Sequence, residues 1–229
     1  MIREDIKKKD YLRILKSSKA GYIYNDNGRL IKFDKCFAHD MLKYKKIKTY
    51  YGEINIDQIY WLSSLRYKIK NSSLPEGILF YDHTPVGVLY PHYFEGYDIL
   101  DNLFKEDSQL LLSNLRKSII NNIELTDNGI YNTDFALKNA LYKNNNVELI
   151  DLDGKYIKSR EQSSLNQVYS YFYVDMLDVI VKKLVRLYGI DETKRMIPEL
   201  KKIIIRNELC NRESPLHIVD EVEKLRILK

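Results

Sequence analysis

The sequence predicts an α+β protein with a strand-rich first part and a mainly helical second part. Three observations lead there. Short apolar runs separated by turn residues fill the first third. Amphipathic segments of helical length fill the last half. A connector over residues 91–97 lies between the two. The boundary is set after residue 92, giving a small antiparallel β part over 1–92 and a helical part over 93–229.

Taken in order, residues 11–15 (Tyr-Leu-Arg-Ile-Leu) read as a first strand, and Ser17-Ser18-Lys19-Ala20-Gly21 as a small-residue turn. Residues 22–24 resume extended structure. Asn25-Asp26-Asn27-Gly28 is a hairpin turn, because Asn and Gly tolerate the positive φ it needs. Residues 29–33 follow as a third strand. Asn55 caps a helix whose apolar face begins with Ile59, Leu62 and Leu65. After the break at Pro75-Glu76-Gly77, residues 78–81 and 86–90 pair as strands around Asp82-His83-Thr84-Pro85. A helix is predicted over 108–124, with Leu110, Leu111, Leu115, Ile119 and Ile123 at suitable spacing. Residues 140–142 and 147–150 form a hairpin through 143–146, and three more helices are expected over 167–187, 192–207 and 216–228.

Composition bounds the function. An apolar fraction of 45% and a charged fraction of 30% belong to a folded globular chain and exclude a disordered one. The net charge of +5 is spread along the chain. It suits an anionic ligand but is no nucleic-acid signature, so no nucleic acid is expected as a partner. No run approaches the roughly 18 uninterrupted apolar residues of a membrane span, and residues 1–9 lack the apolar core of a signal peptide. Cys36 and Cys210 stand far apart, and His39, His83, His92 and His217 show no metal spacing. The expectation is a cytoplasmic protein that does not engage a membrane.

The chemistry concentrates in Asn128-Gly129-Ile130-Tyr131-Asn132-Thr133-Asp134-Phe135-Ala136-Leu137-Lys138-Asn139-Ala140-Leu141-Tyr142, followed by Val147-Glu148-Leu149-Ile150-Asp151-Leu152-Asp153-Gly154. Asn139 lies five residues after Asp134, and Asp151 twelve beyond that at the end of an apolar strand. The hairpin between them returns Asp151 beside Asn139. This stretch resembles the catalytic and metal-binding loops of protein kinases and their small-molecule-kinase relatives.

That resemblance implies a bilobal protein-kinase-like fold, with ATP and Mg²⁺ as cofactors and transfer of the γ-phosphoryl group to a hydroxyl. Phosphoryl transfer needs positioned groups and neutralised charge. Asp134 would orient the acceptor hydroxyl, and Asn139 and Asp151 would offer hard oxygen ligands to the metal. Lys32 would contact the phosphates, since Leu30 and Lys32 share a strand face as the Ala and Lys of the family's Val-Ala-Ile-Lys motif do. The turn bearing Ser17, Ser18 and Gly21 would cover the phosphates with backbone N–H groups, and His92 would lie near the segment that binds adenine through its backbone. Asp175 resembles the helix carboxylate that anchors the catalytic loop.

The departures are specific. Asn132-Thr133 replace the usual His-Arg before the catalytic Asp, with Tyr131 near the His position. Leu152 and Asp153 replace Phe and Gly after the metal-binding Asp. Asp153 is open as a further ligand or a turn carboxylate. The turn at 17–21 lacks the family's glycine pattern. The helix partner of Lys32 falls on Gln58, with Glu53 and Asp57 as alternatives. Only 24 residues separate Asp151 from Asp175, too few for the usual peptide-docking segment, and no Ala-Pro-Glu motif is present. Alternatives to an active protein-directed kinase are a pseudokinase binding nucleotide as an interaction module, a small-molecule kinase, and an adenylyl transferase.

Overall fold

The computed structural model describes residues 1–17, 22–92, 94–130, 136–152, 162–207 and 214–228. The chain mixes helices and strands and divides into two compact units, Met1–Glu95 with Asp151–Gly154, and Gly96–Ile150 with Lys155–Lys229.

The first unit is built on a five-stranded sheet. Its strands are β1 (Ile2–Asp5), β2 (Ile23–Asp26), β3 (Arg29–Phe33), β4 (Gly77–Tyr81) and β5 (Thr84–Tyr90), in the order β1-β4-β5-β3-β2. β1 pairs parallel with β4 and the other pairs are antiparallel. The purely antiparallel opening read from the sequence is therefore corrected to a mixed sheet. Its unforeseen edge strand is a four-residue piece without the apolar alternation that marks a strand. The β2–β3 hairpin follows expectation. Asp26 faces Arg29 across a two-residue turn, with φ of +52° at Asn27 and +94° at Gly28. The β4–β5 turn is tighter than predicted. Asp82 and His83 take it at φ of +47° and +61°, which leaves Thr84 and Pro85 in β5. Pro85 sits opposite Phe80 where the register shifts, a place where a missing N–H is tolerated.

Three helices cover the sheet. α1 (Lys8–Ser17) and α2 (Lys35–Tyr44) pack Tyr11, Leu15, Phe37, Ala38 and Met41 against Ile31, Phe33, Leu79 and Leu89. α3 (Ile56–Leu65) sets Ile59 against Ile78, Phe80, Val88 and Tyr90. The segment 11–15, expected as a strand, is helix. A strand would put Tyr11, Arg13 and Leu15 on one face. The helix instead stacks Tyr11 and Leu15 four residues apart, both fully buried, and leaves Arg13 outside. α2 was not anticipated. Its signal was Asp34, whose carboxylate accepts from Phe37 N at 3.0 Å as an N-cap. α3 matches its prediction. Asn55 accepts from Gln58 N at 3.1 Å, and Ile59, Leu62 and Leu65 are buried.

The second unit holds a three-stranded sheet of β6 (Asp98–Ile99), β7 (Ala140–Lys143) and β8 (Asn146–Leu149), all antiparallel, beside α4 (Ser108–Asp127), α5 (Gln162–Tyr188), α6 (Ile190–Asn207) and α7 (Ser214–Lys224). The four expected helices are all present, with ends moved by several residues. α4 buries Leu111, Leu115 and Ile119, and two asparagines on it clamp the β7–β8 hairpin. Asn114 Nδ2 donates to Asn144 O and Asn121 Nδ2 to Val147 O, each at 2.9 Å. The hairpin turns at Asn144-Asn145, with Asn144 at φ +54°. Among the described residues no helix is long and apolar enough to cross a membrane.

Candidate functional site

Lys32 lies in β3, paired with Ile23 on one side and Val88 on the other. Strand alternation puts Ile31 and Phe33 into the core under α1 and α2. Leu30 and Lys32 face the other way, toward the side where Val88 and Tyr90 meet α3. The shared face expected for Leu30 and Lys32 is thus present. The lysine is half-buried, and its Nζ donates to Asp151 Oδ1.

Asp151 reaches this partner through its backbone. After β8 the chain turns at Asp151 with φ of +63°, a left-handed conformation that Asp tolerates better than most residues but still at a conformational cost. The following Leu152 is fully buried. Sequence reasoning assigned Lys32 to phosphate and Asp151 to metal. It did not anticipate that the two would pair with each other across 119 residues of chain. No local pattern could have signalled it.

Asn139, in the second unit, closes a 3-10 turn (Leu137–Asn139) just before β7 and is half-buried. Its carbonyl accepts from Ile150 N at 2.9 Å, extending the ladder past the Ala140–Leu149 pair. The hairpin thus joins Asn139 to Ile150. Asp175, on α5, is also placed as expected for an anchor. Its Oδ2 accepts from Leu137 N at 3.1 Å, holding the turn that carries Asn139. Nearby, burial and the charge of Asp175 push the Asp101 carboxyl above its ordinary range, in that order of weight.

Asp134, Ser18, Gly21 and Asp153 lie outside the described residues. Ser17 is the last residue of α1, so the chain after it connects a helix, not a strand, to β2. His92 is exposed on the segment after β5. Of the residues considered beside Lys32, Glu53 and Asp57 are exposed and Gln58 is half-buried on α3. Among the described residues no three His, Cys, Asp or Glu side chains group as a metal site. The expected pair, an amide and a carboxylate, is a different kind of set.

One residue was missed altogether. Glu148 stands on β8 directly opposite Leu141, on the face turned away from Val147 and Leu149, which are buried. Burial pushes its carboxyl up to about 7. The signal available was a lone carboxylate inside the apolar run 147–150.

No model of a known protein family matches this chain, and no curated protein does.

Proposed function

We propose that this chain is an ATP- and Mg²⁺-dependent phosphotransferase of protein-kinase-like type, moving the γ-phosphoryl group to a hydroxyl acceptor. The observation that carries the reading is the pairing of Lys32 with an Asp151 held in left-handed backbone. Residues held in such backbone cluster at functional sites, and here the residue is a carboxylate paired with the lysine assigned to phosphate. Asp175 bonded to the turn before Asn139 supports it.

In this reading Lys32 binds the phosphates of ATP and Asp134 orients the acceptor hydroxyl. Asn139 and Asp151 bring an amide oxygen and a carboxylate, donors that fit a hard divalent cation. When bound, Mg²⁺ offsets the negative charge of the phosphates. In this reading the Lys32–Asp151 pair opens when nucleotide and metal each take one of the two groups.

The test is release or self-transfer of labelled γ-phosphate from ATP with Mg²⁺, in wild type, Asp134→Ala and Asp151→Ala. Turnover in the wild type and its loss in both variants is the expected result. Mg²⁺–ATP binding without turnover, also in the presence of metabolite and protein acceptors, would instead establish a nucleotide-binding module. Absence of ATP binding would remove the proposal.

A further inference from the structure

The loop that leaves α2 combines features that the proposed site does not use. Within nine residues, the last turn of α2 and this loop carry Lys43, Lys45, Lys46 and Lys48, all exposed, with Tyr44 among them and Tyr50 and Tyr51 at the end. Tyr50 is 93% and Tyr51 87% exposed, so two large aromatic faces stand in water. Lysine ammoniums cluster on Tyr44, with Lys48 Nζ 3.8 Å and Lys43 Nζ 5.1 Å from its ring centroid.

Exposed side chains of this kind usually sit on a loose loop, yet this one is pinned at both ends. Asp40, buried in α2, accepts from Lys48 N at 2.7 Å and also from the backbone N and hydroxyl of Thr49. Asp34, buried at the N-cap, accepts from Glu53 N. Gly52 lies so close to Phe37 that a Cβ there would approach its ring to 2.7 Å. Lys45 turns the chain out of α2 at φ +60°. Two buried carboxylates therefore hold a short loop that displays lysines and tyrosines, with no exposed acid before Glu53.

From this pinned segment, the end of α2 and its loop, with four lysines and two solvent-facing tyrosines, we infer a binding surface for single-stranded nucleic acid. Lysines track the phosphates, and aromatic rings give bases a stacking platform that is indifferent to sequence. A pinned loop has less ordering to lose on binding. The same charges could attract an anionic membrane, but a membrane-docking segment also needs apolar side chains to insert. The loop's one aliphatic residue, Ile47, packs inward against the core of α1 and α2. The whole-chain charge gave no hint of this surface because it averages the lysines of 43–48 with acids elsewhere.

The experiment is fluorescence anisotropy of the full chain with a labelled twelve-nucleotide oligo-U and oligo-dT, titrated between 50 and 300 mM salt. Binding is expected at low salt, weakening steeply as salt rises. Combined Tyr50→Ala and Tyr51→Ala should weaken it at least tenfold without changing the salt slope. Lys45→Gln, Lys46→Gln and Lys48→Gln together should flatten that slope by about 2, at roughly 0.7 per phosphate contact on a single strand. These side chains are exposed, and unchanged thermal melting would show that the variants fold. No binding at 50 mM salt overturns the inference, as does binding that the tyrosine variant leaves intact. Capture by phosphatidylserine vesicles with no oligonucleotide binding would overturn it in favour of a membrane.

Discussion

Asp151 takes a left-handed φ of +63°, and its carboxylate pairs with Lys32 while 42% exposed. These facts separate its structural from its chemical value. An exposed pair of this kind contributes about 0–1 kcal/mol, and glycine would relieve a comparable backbone strain. Asp151→Gly is therefore expected to keep stability within about 1 kcal/mol of wild type in thermal or urea denaturation while abolishing phosphotransfer. A large destabilisation would make Asp151 a structural residue and remove the main support for the proposed site. At this scale the sequence was most legible where a side chain's chemistry is local. The Asn55 cap and the hairpin that follows Asn139 could both be read from local sequence. The partner of Lys32 could not, because tertiary folding decides it over 119 residues.

Elements were legible where pattern and punctuation agreed. Asn27-Gly28 set the β2–β3 hairpin and Asn144-Asn145 the β7–β8 hairpin, and the long apolar periodicity of α4 was read with ends within a few residues. The segment 11–15 failed because a run such as Tyr-Leu-Arg-Ile-Leu satisfies both a two-residue and a helical period, and short apolar runs do not distinguish them. The helix makes a discriminating prediction. Leu15 is 1% exposed in the core with Tyr11 and Met41, so Leu15→Ala should cost about 2–4 kcal/mol. Arg13, on the same face as Leu15 only if the segment were a strand, is exposed and pairs with Asp10 at 3.6 Å. Arg13→Ala should change stability by less than about 0.5 kcal/mol. Equal losses from the two substitutions in urea denaturation would restore the strand.

For the whole molecule, the sequence conveyed the mixture of helices and strands and the helical character of the last part, but neither the helices α1 and α2 between the early strands nor the division of the chain. The first unit takes back Asp151–Gly154 after the hairpin, and no composition shift marks that return. Protonation links one half-buried residue to the stability of the folded chain. Glu148 has an ordinary pKa of 4.5 and is pushed up to about 7 by burial. Between those values the folded chain holds more protons than the unfolded one. Stability therefore falls as pH rises from about 4.5 to 7, and this contribution is constant above it. Glu148→Gln keeps the side chain's shape and never ionises, so it should remove that decline. Because Glu148 is only partly buried, the gain at pH 8 is expected to be on the order of 1 kcal/mol, less than full desolvation would give. Urea denaturation at pH 5 and pH 8 measures it. Wild type and variant should be closely matched at the lower pH and separate at the higher, with the variant more stable. A constant difference at both values would mean that the Glu148 carboxyl titrates alike in the folded and unfolded chain.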